Sequence, residues 1–178
     1  YLGMTGAPYE FHAADVYSYE RMAGNVAANG FSYVSKLIDE VGISDSGYAS
    51  YLGTIYMIFG KNVIIPRLIK AALGAFAALL IYRLTVRNFG EQTGRMAGIF
   101  FMLMPNLIYY TGSHLKEAEM VFLSVAFVER ADYLFRSKTY NFINIGLPVL
   151  LAGSLFFLRT ALGATALLTR ARSSVLFS

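Results

Sequence analysis

The chain predicts an all-α protein: a polytopic bundle of membrane helices, with short interfacial helices in a loop on the outer face. Three observations carry that expectation. The 178 residues are 56% hydrophobic and only 15% charged, with a mean hydropathy of +0.51, which suits a membrane protein better than a soluble domain. Met96 to Ser113 carries no charge and is long enough to cross a bilayer. Thr139 to Leu158 is a second run of twenty uncharged residues, interrupted by Pro148.

Residues 1–62 read as an extracytoplasmic loop and 63–178 as a bundle of about four to five spans. In the loop, Asp15, Tyr19, Met22, Ala23 and Val26 recur at helical spacing, so Asp15 to Asn29 is expected to be an amphipathic helix ended by Gly30. Phe31 to Val41 is expected to lie along the interface as another. Tyr48 to Phe59 is apolar but twelve residues long between Gly47 and Gly60, too short to span, which predicts a surface or re-entrant helix. Pro66 fits the first turn of the next helix, Ile64 to Leu84. Arg67 and Lys70 in its first turns read as anchors that snorkel to the head groups. Met96 to Ser113 returns through the membrane with a kink at Pro105, and Glu117 to Phe135 crosses again. Residues 160–178 take no place in this scheme, and the start at Tyr1 without a signal-type segment is that expected of a fragment.

Charge orients the bundle. Residues 1–47 hold six acids against two bases, whereas the links at 83–95 and 129–138 are rich in arginine. The positive-inside rule places those links in the cytoplasm of a bacterial inner or plasma membrane. Residues 1–70, the tip at 112–119 and Arg159 then share the outer side. No cysteine is present, which removes disulfides and thiol chemistry. Basic residues scattered among apolar runs form no stripe for nucleic acid. No phosphate-binding loop, dinucleotide fingerprint or serine-nucleophile elbow occurs.

The ionisable residues on the outer side are the candidates for chemistry. Asp15, in HAADVYSYERMA, suits a base that deprotonates a hydroxyl, a metal ligand, or a helix N-cap. Asp45, in GISDSGYASYL, has the same alternatives. Glu10, His12 and Asp15 could be drawn together around a divalent metal ion, although their spacing matches no closed ligand pattern. The tip SHLKEAE places His114 three residues from Glu117 and Lys116 three from Glu119, so each pair can share a helix face. Lys116 and His114 could hold a departing phosphate, with an acid beside them, or the group could simply cap a membrane helix. Arg159 suits a phosphate through its fixed fork, or serves as an interfacial anchor. The Met96, Phe100, Phe101, Met102 and Met104 cluster reads as lipid-facing or packing surface.

Taken in order, HAADVYSYERMA, FG-x-N before a Pro-Arg helix start, the basic NFGE link, and MPNLIYY followed by a Lys-Glu pair resemble the N-terminal half of a GT-C fold glycosyltransferase. The similarity is to bacterial relatives of the dolichyl-phosphate-mannose protein mannosyltransferases and covers most of residues 10–160. It implies a sugar donor on a polyprenyl phosphate, an acceptor of unspecified kind, and membrane lipids as surroundings. It also implies Asp15 as the base, Asp45 as a second acidic site, and His114, Lys116, Glu117, Arg159 and Tyr19 at the substrate, with inversion at the sugar. The acidic pair of some family branches is not adjacent here, which makes Glu10 a rival base. A transporter or flippase for a lipid-linked or anionic sugar would use the same basic groups without needing a carboxylate base. A scaffold would need neither.

Overall fold

The computed structural model describes residues 14–113, 115–137 and 142–158, and no strand occurs among them. Among the described residues eight helices follow one another: α1 (Ala14–Asn29), α2 (Ser32–Val41), α3 (Ile43–Phe59), α4 (Ile64–Phe89), α5 (Glu91–Met102), α6 (Pro105–Gly112), α7 (Glu117–Ser137) and α8 (Phe142–Leu158). The all-α expectation holds. Helices α1 and α2 form where the apolar spacing placed them, and Gly30 ends α1 at φ 74°, donating its N–H to the Val26 carbonyl at 2.9 Å.

Helix α3 departs from its expected role. It begins at Ile43 instead of Tyr48 and runs for 17 residues, and it is the centre of the buried core instead of a surface element. Tyr48, Ala49, Leu52, Ile55 and Tyr56 of α3 meet Tyr19, Met22, Ala23 and Val26 of α1, Leu37 of α2, Met120 of α7 and Leu158 of α8. Glycines in the segment are what allow this. A Cβ on Gly53 would stand 2.7 Å from Val26 Cβ, and one on Gly47 would stand 2.4 Å from the Phe157 carbonyl oxygen. Backbones that close bury more surface on both sides.

The uncharged run from Met96 does not form one kinked helix. Pro105 disfavours helical geometry in the residue before it, and Met104 accordingly sits at φ −64°, ψ 117°. The run divides at Leu103–Met104 into α5 and α6. Among the described residues, α4 is the helix long and apolar enough to cross a membrane, while the Gly146–Leu158 stretch of α8 is apolar but shorter. At 26 residues, α4 rises about 39 Å, more than a bilayer's hydrocarbon thickness. Helix α7 is shorter, at 21 residues, and its ends carry charges.

Those charges tie one end of the bundle together. Arg87 of α4 donates to Glu129 at 2.6 Å and to Asp132 at 2.9 Å, and Arg136 donates to Asp132 at 3.1 Å. The two arginine-rich links therefore lie at the same end, and both are largely helical. Phe100, Met102 and Met104 are exposed, at 70%, 57% and 51%.

Replacing Gly53 tests the close packing of α1 on α3. Gly53→Leu is expected to destabilise the protein by roughly 1–3 kcal/mol through overpacking against Val26. Lowered thermal midpoint in detergent checks this, and an unchanged midpoint contradicts the packing.

Candidate functional site

The end of the bundle opposite Arg87 is built around Lys70. Its side chain is fully buried (0%), because α4 turns that face onto α6, α7 and α3. The ammonium donates to the Ser113 carbonyl oxygen at 2.9 Å and to the Leu115 carbonyl oxygen. It lies 3.6 Å from Glu119 Oε2 and 5.2 Å from the centre of the Tyr48 ring. The expectation that Lys70 snorkels is thus overturned. A buried ammonium keeps its charge only where acceptors surround it, and two carbonyls, a carboxylate and an aromatic face supply them. This was the functional residue that sequence reasoning missed. The signal available was its helical spacing from Pro66 and Gly74, both also buried.

By holding the carbonyls of Ser113 and Leu115, Lys70 fixes the non-helical passage between α6 and α7. Lys116 follows immediately, and its ammonium reaches Asp45 Oδ1 at 2.5 Å and lies 5.5 Å from the Tyr19 ring centre. Tyr19 donates its hydroxyl to the same Asp45 oxygen at 2.8 Å. Residues from α1, α3 and the α6–α7 passage therefore converge on one carboxylate. Tyr19 also packs edge-on against Tyr48, with ring centres 4.9 Å apart, which links this trio to Lys70.

The electrostatics assign different states to these groups. Burial, then the Asp45 hydrogen bond and the surrounding carboxylates push the Tyr19 phenol well above its ordinary range, so it stays a proton donor. For Asp45, burial acts upward, but the bonds from Lys116 and Tyr19 outweigh it and hold the carboxyl below its usual value. A carboxylate so stabilised is a good anchor and a poor base.

Helix N-capping by Asp45 is also overturned. Gly42 is the cap of α3, with no side-chain cap bond, and Asp45 lies inside the first turn, where its charge favours the helix dipole. Asp15 lies likewise in the first turn of α1, exposed to solvent and near enough to act electrostatically on Tyr19. Glu117 opens α7, and its Oε2 is buried without a hydrogen bond. Lys116 precedes that helix and turns to Asp45, while Glu119 turns to Lys70. Glu10, His12, His114 and Arg159 lie outside the described residues. Among the described residues no three His, Asp or Glu side chains gather in a way that could hold a metal ion.

One turn further along α3 and α7, an apolar groove of about 1050 Å³ opens between α2, α3, α4, α7 and α8. Val34, Leu73, Phe122, Leu123, Leu150 and Phe157 supply its walls, and Ser50, Tyr51 and Glu119 its polar points. The arrangement places a cluster of carboxylate, phenol and ammonium beside a space shaped for hydrocarbon. Comparison of the chain with protein families, with characterised proteins and with solved structures finds no match.

Two outcomes follow from this geometry. Lys70→Met strands Glu119 in the core and is expected to cost roughly 3–5 kcal/mol, while adding Glu119→Leu recovers most of the loss. Chemical denaturation of the single and double variants checks it. Because the folded Asp45 carboxyl is held low, its contribution to stability is full above the unfolded carboxylate pKa and is lost as pH falls through the folded one. The melting points of wild type and Asp45→Asn should therefore differ at neutral pH and converge in acid; a gap that persists below both values contradicts the assignment.

Proposed function

We propose that this chain is part of a polytopic membrane protein of the transferase class, acting on an amphiphilic substrate at the outer face. More specifically, it moves a sugar from a polyprenyl phosphate to an acceptor hydroxyl, with inversion, as the resemblance to GT-C fold glycosyltransferases implies. The observation that carries this reading is the Tyr19–Asp45–Lys116 cluster beside the apolar groove. The cluster suits the anionic head of the donor, and the groove beside it suits the hydrocarbon of an amphiphile. The large apolar side chains left exposed on α4 and α5, such as Leu68, Phe76, Leu79 and Phe100, support a lipid surrounding.

In this mechanism Asp15, exposed and not bound by Lys116, removes the proton from the acceptor hydroxyl. The resulting oxygen attacks the anomeric carbon opposite the phosphate, the carbon–oxygen bond to phosphate breaks, and the leaving phosphate takes that electron pair. Lys116 brings a positive charge beside Asp45 and the Tyr19 ring, where it can meet the charge developing on the phosphate. Asp45 and Tyr19 hold the ammonium in place. His114 and Arg159 complete the phosphate site in the reading that the resemblance implies.

A transporter for a lipid-linked or anionic sugar is the second reading, favoured by one observation. Lys70 and Glu119 form a buried ionic pair within the helices, and such pairs mark proton or ion paths in membrane carriers.

The deciding experiment uses the full-length protein in membranes supplied with labelled polyprenyl-phosphate sugars. Wild type is expected to discharge one donor, and Asp15→Asn to lower the rate by roughly a hundredfold or more without altering insertion. Wild-type rates in Asp15→Asn would remove Asp15 as the base. Translocation of the intact lipid-linked sugar without discharge would replace the transferase with the carrier.

A further inference from the structure

The groove has a polar feature that the phosphate chemistry does not use. Glu119 is 4% exposed and lines the groove; Lys70 and its own backbone N–H lie close, but neither carboxylate oxygen makes a hydrogen bond of ordinary geometry. Its ion pair with Lys70, at 3.6 Å, is longer than a hydrogen bond. The Tyr51 hydroxyl, on the facing wall, is also buried without a partner. Buried polar atoms of this kind are rare and costly unless something satisfies them.

The kind of partner follows from the charges. Lys70 already balances the charge of Glu119, so a cationic ligand would bring an unmatched ammonium beside a buried one. An anionic ligand would face the carboxylate directly. A neutral hydroxyl group fits both atoms: it donates to Glu119, which when ionised only accepts, and it accepts from Tyr51. The rest of the wall, Leu123, Leu150, Phe157 and Leu158, is apolar and asks for hydrocarbon.

We propose that the groove binds a neutral lipid with a hydroxylated head, its hydroxyls bonded to Glu119 and Tyr51 and its chain lying along α7 and α8. Resting on the transferase reading, this lipid is the acceptor, distinct from the phosphate-bearing donor at Lys116.

The test measures binding of an alkyl glucoside carrying a photoreactive group in its chain to the full-length protein in nanodiscs. Alkyl phosphate and alkyl ammonium of equal chain length serve as competitors. Labelling of α7 and α8 is expected, displaced by unlabelled alkyl glucoside but by neither charged competitor. Tyr51→Phe and Glu119→Leu should each weaken it roughly tenfold, the loss of a hydrogen bond to a buried group. Glu119→Leu also leaves Lys70 unpaired and is read only if the variant inserts normally. Gly153→Leu provides the independent arm: Gly153 lines the groove with open space beside it, so the leucine fills the chain path while leaving the ion pair intact. Unchanged labelling in both Tyr51→Phe and Gly153→Leu overturns the proposal, as does equal displacement by alkyl phosphate or alkyl ammonium. Binding needs no sugar transfer, so glucoside labelling without donor discharge sinks the transferase reading alone. Donor discharge without groove labelling sinks this inference alone.

Discussion

A buried ammonium has to be surrounded by acceptors, and at Lys70 that requirement organises one end of the protein. Its position on α4 is set by the helix, but its partners come from elsewhere: the carbonyls of Ser113 and Leu115, the carboxylate of Glu119 and the face of Tyr48. Meeting those demands draws the passage between α6 and α7 onto α4 and α3 together. Lys116, which ends that passage, is thereby delivered to Asp45. A lysine placed at the surface would leave the same loop to find its own place.

The two ends of the helical bundle use charge differently. Around Arg87, Glu129, Asp132 and Arg136 the side chains satisfy one another through short bonds, several of them partly exposed, and the result is a clasp between α4 and α7. Around Lys70 the charges are buried and leave acceptor atoms over. Each end keeps an acceptor over, Glu129 Oε2 at the clasp and both Glu119 oxygens beside Lys70, but only Glu119 lines the apolar groove.

Within the outer cluster, the two aspartates divide their duties by environment. Asp45 accepts from Tyr19 and Lys116 at once, which fixes three chain segments together and lowers its basicity. Asp15, one turn before Tyr19 on an exposed face of α1, retains access to solvent and to an incoming hydroxyl. A single pair of like residues thus provides an anchor and a candidate base, and the distinction rests on what surrounds each of them.

Much of the local structure was legible in the sequence. Apolar spacing placed α1, Gly30 marked its end, and the apolar runs within Ile64–Leu84 and Thr139–Leu158 announced helices, because these features act through neighbours along the chain. The arginine-rich links were correctly grouped, since charge must gather where low-dielectric surroundings end. The sequence misled where a residue's fate depended on distant partners. Lys70 read as a snorkelling anchor because nothing near it in the chain advertises the carbonyls of Ser113 and Leu115, which lie 43 and 45 residues away. Helix α3 read as a surface or re-entrant helix because its twelve-residue apolar run is too short to span, whereas its burial comes from Gly47 and Gly53 letting α8 and α1 close on it. The sequence by itself determined the helices and the sign of charge at each end, through local propensity and periodicity. Only the tertiary structure decided which ionisable groups are buried together, because burial and pairing depend on segments that meet in space and not in order.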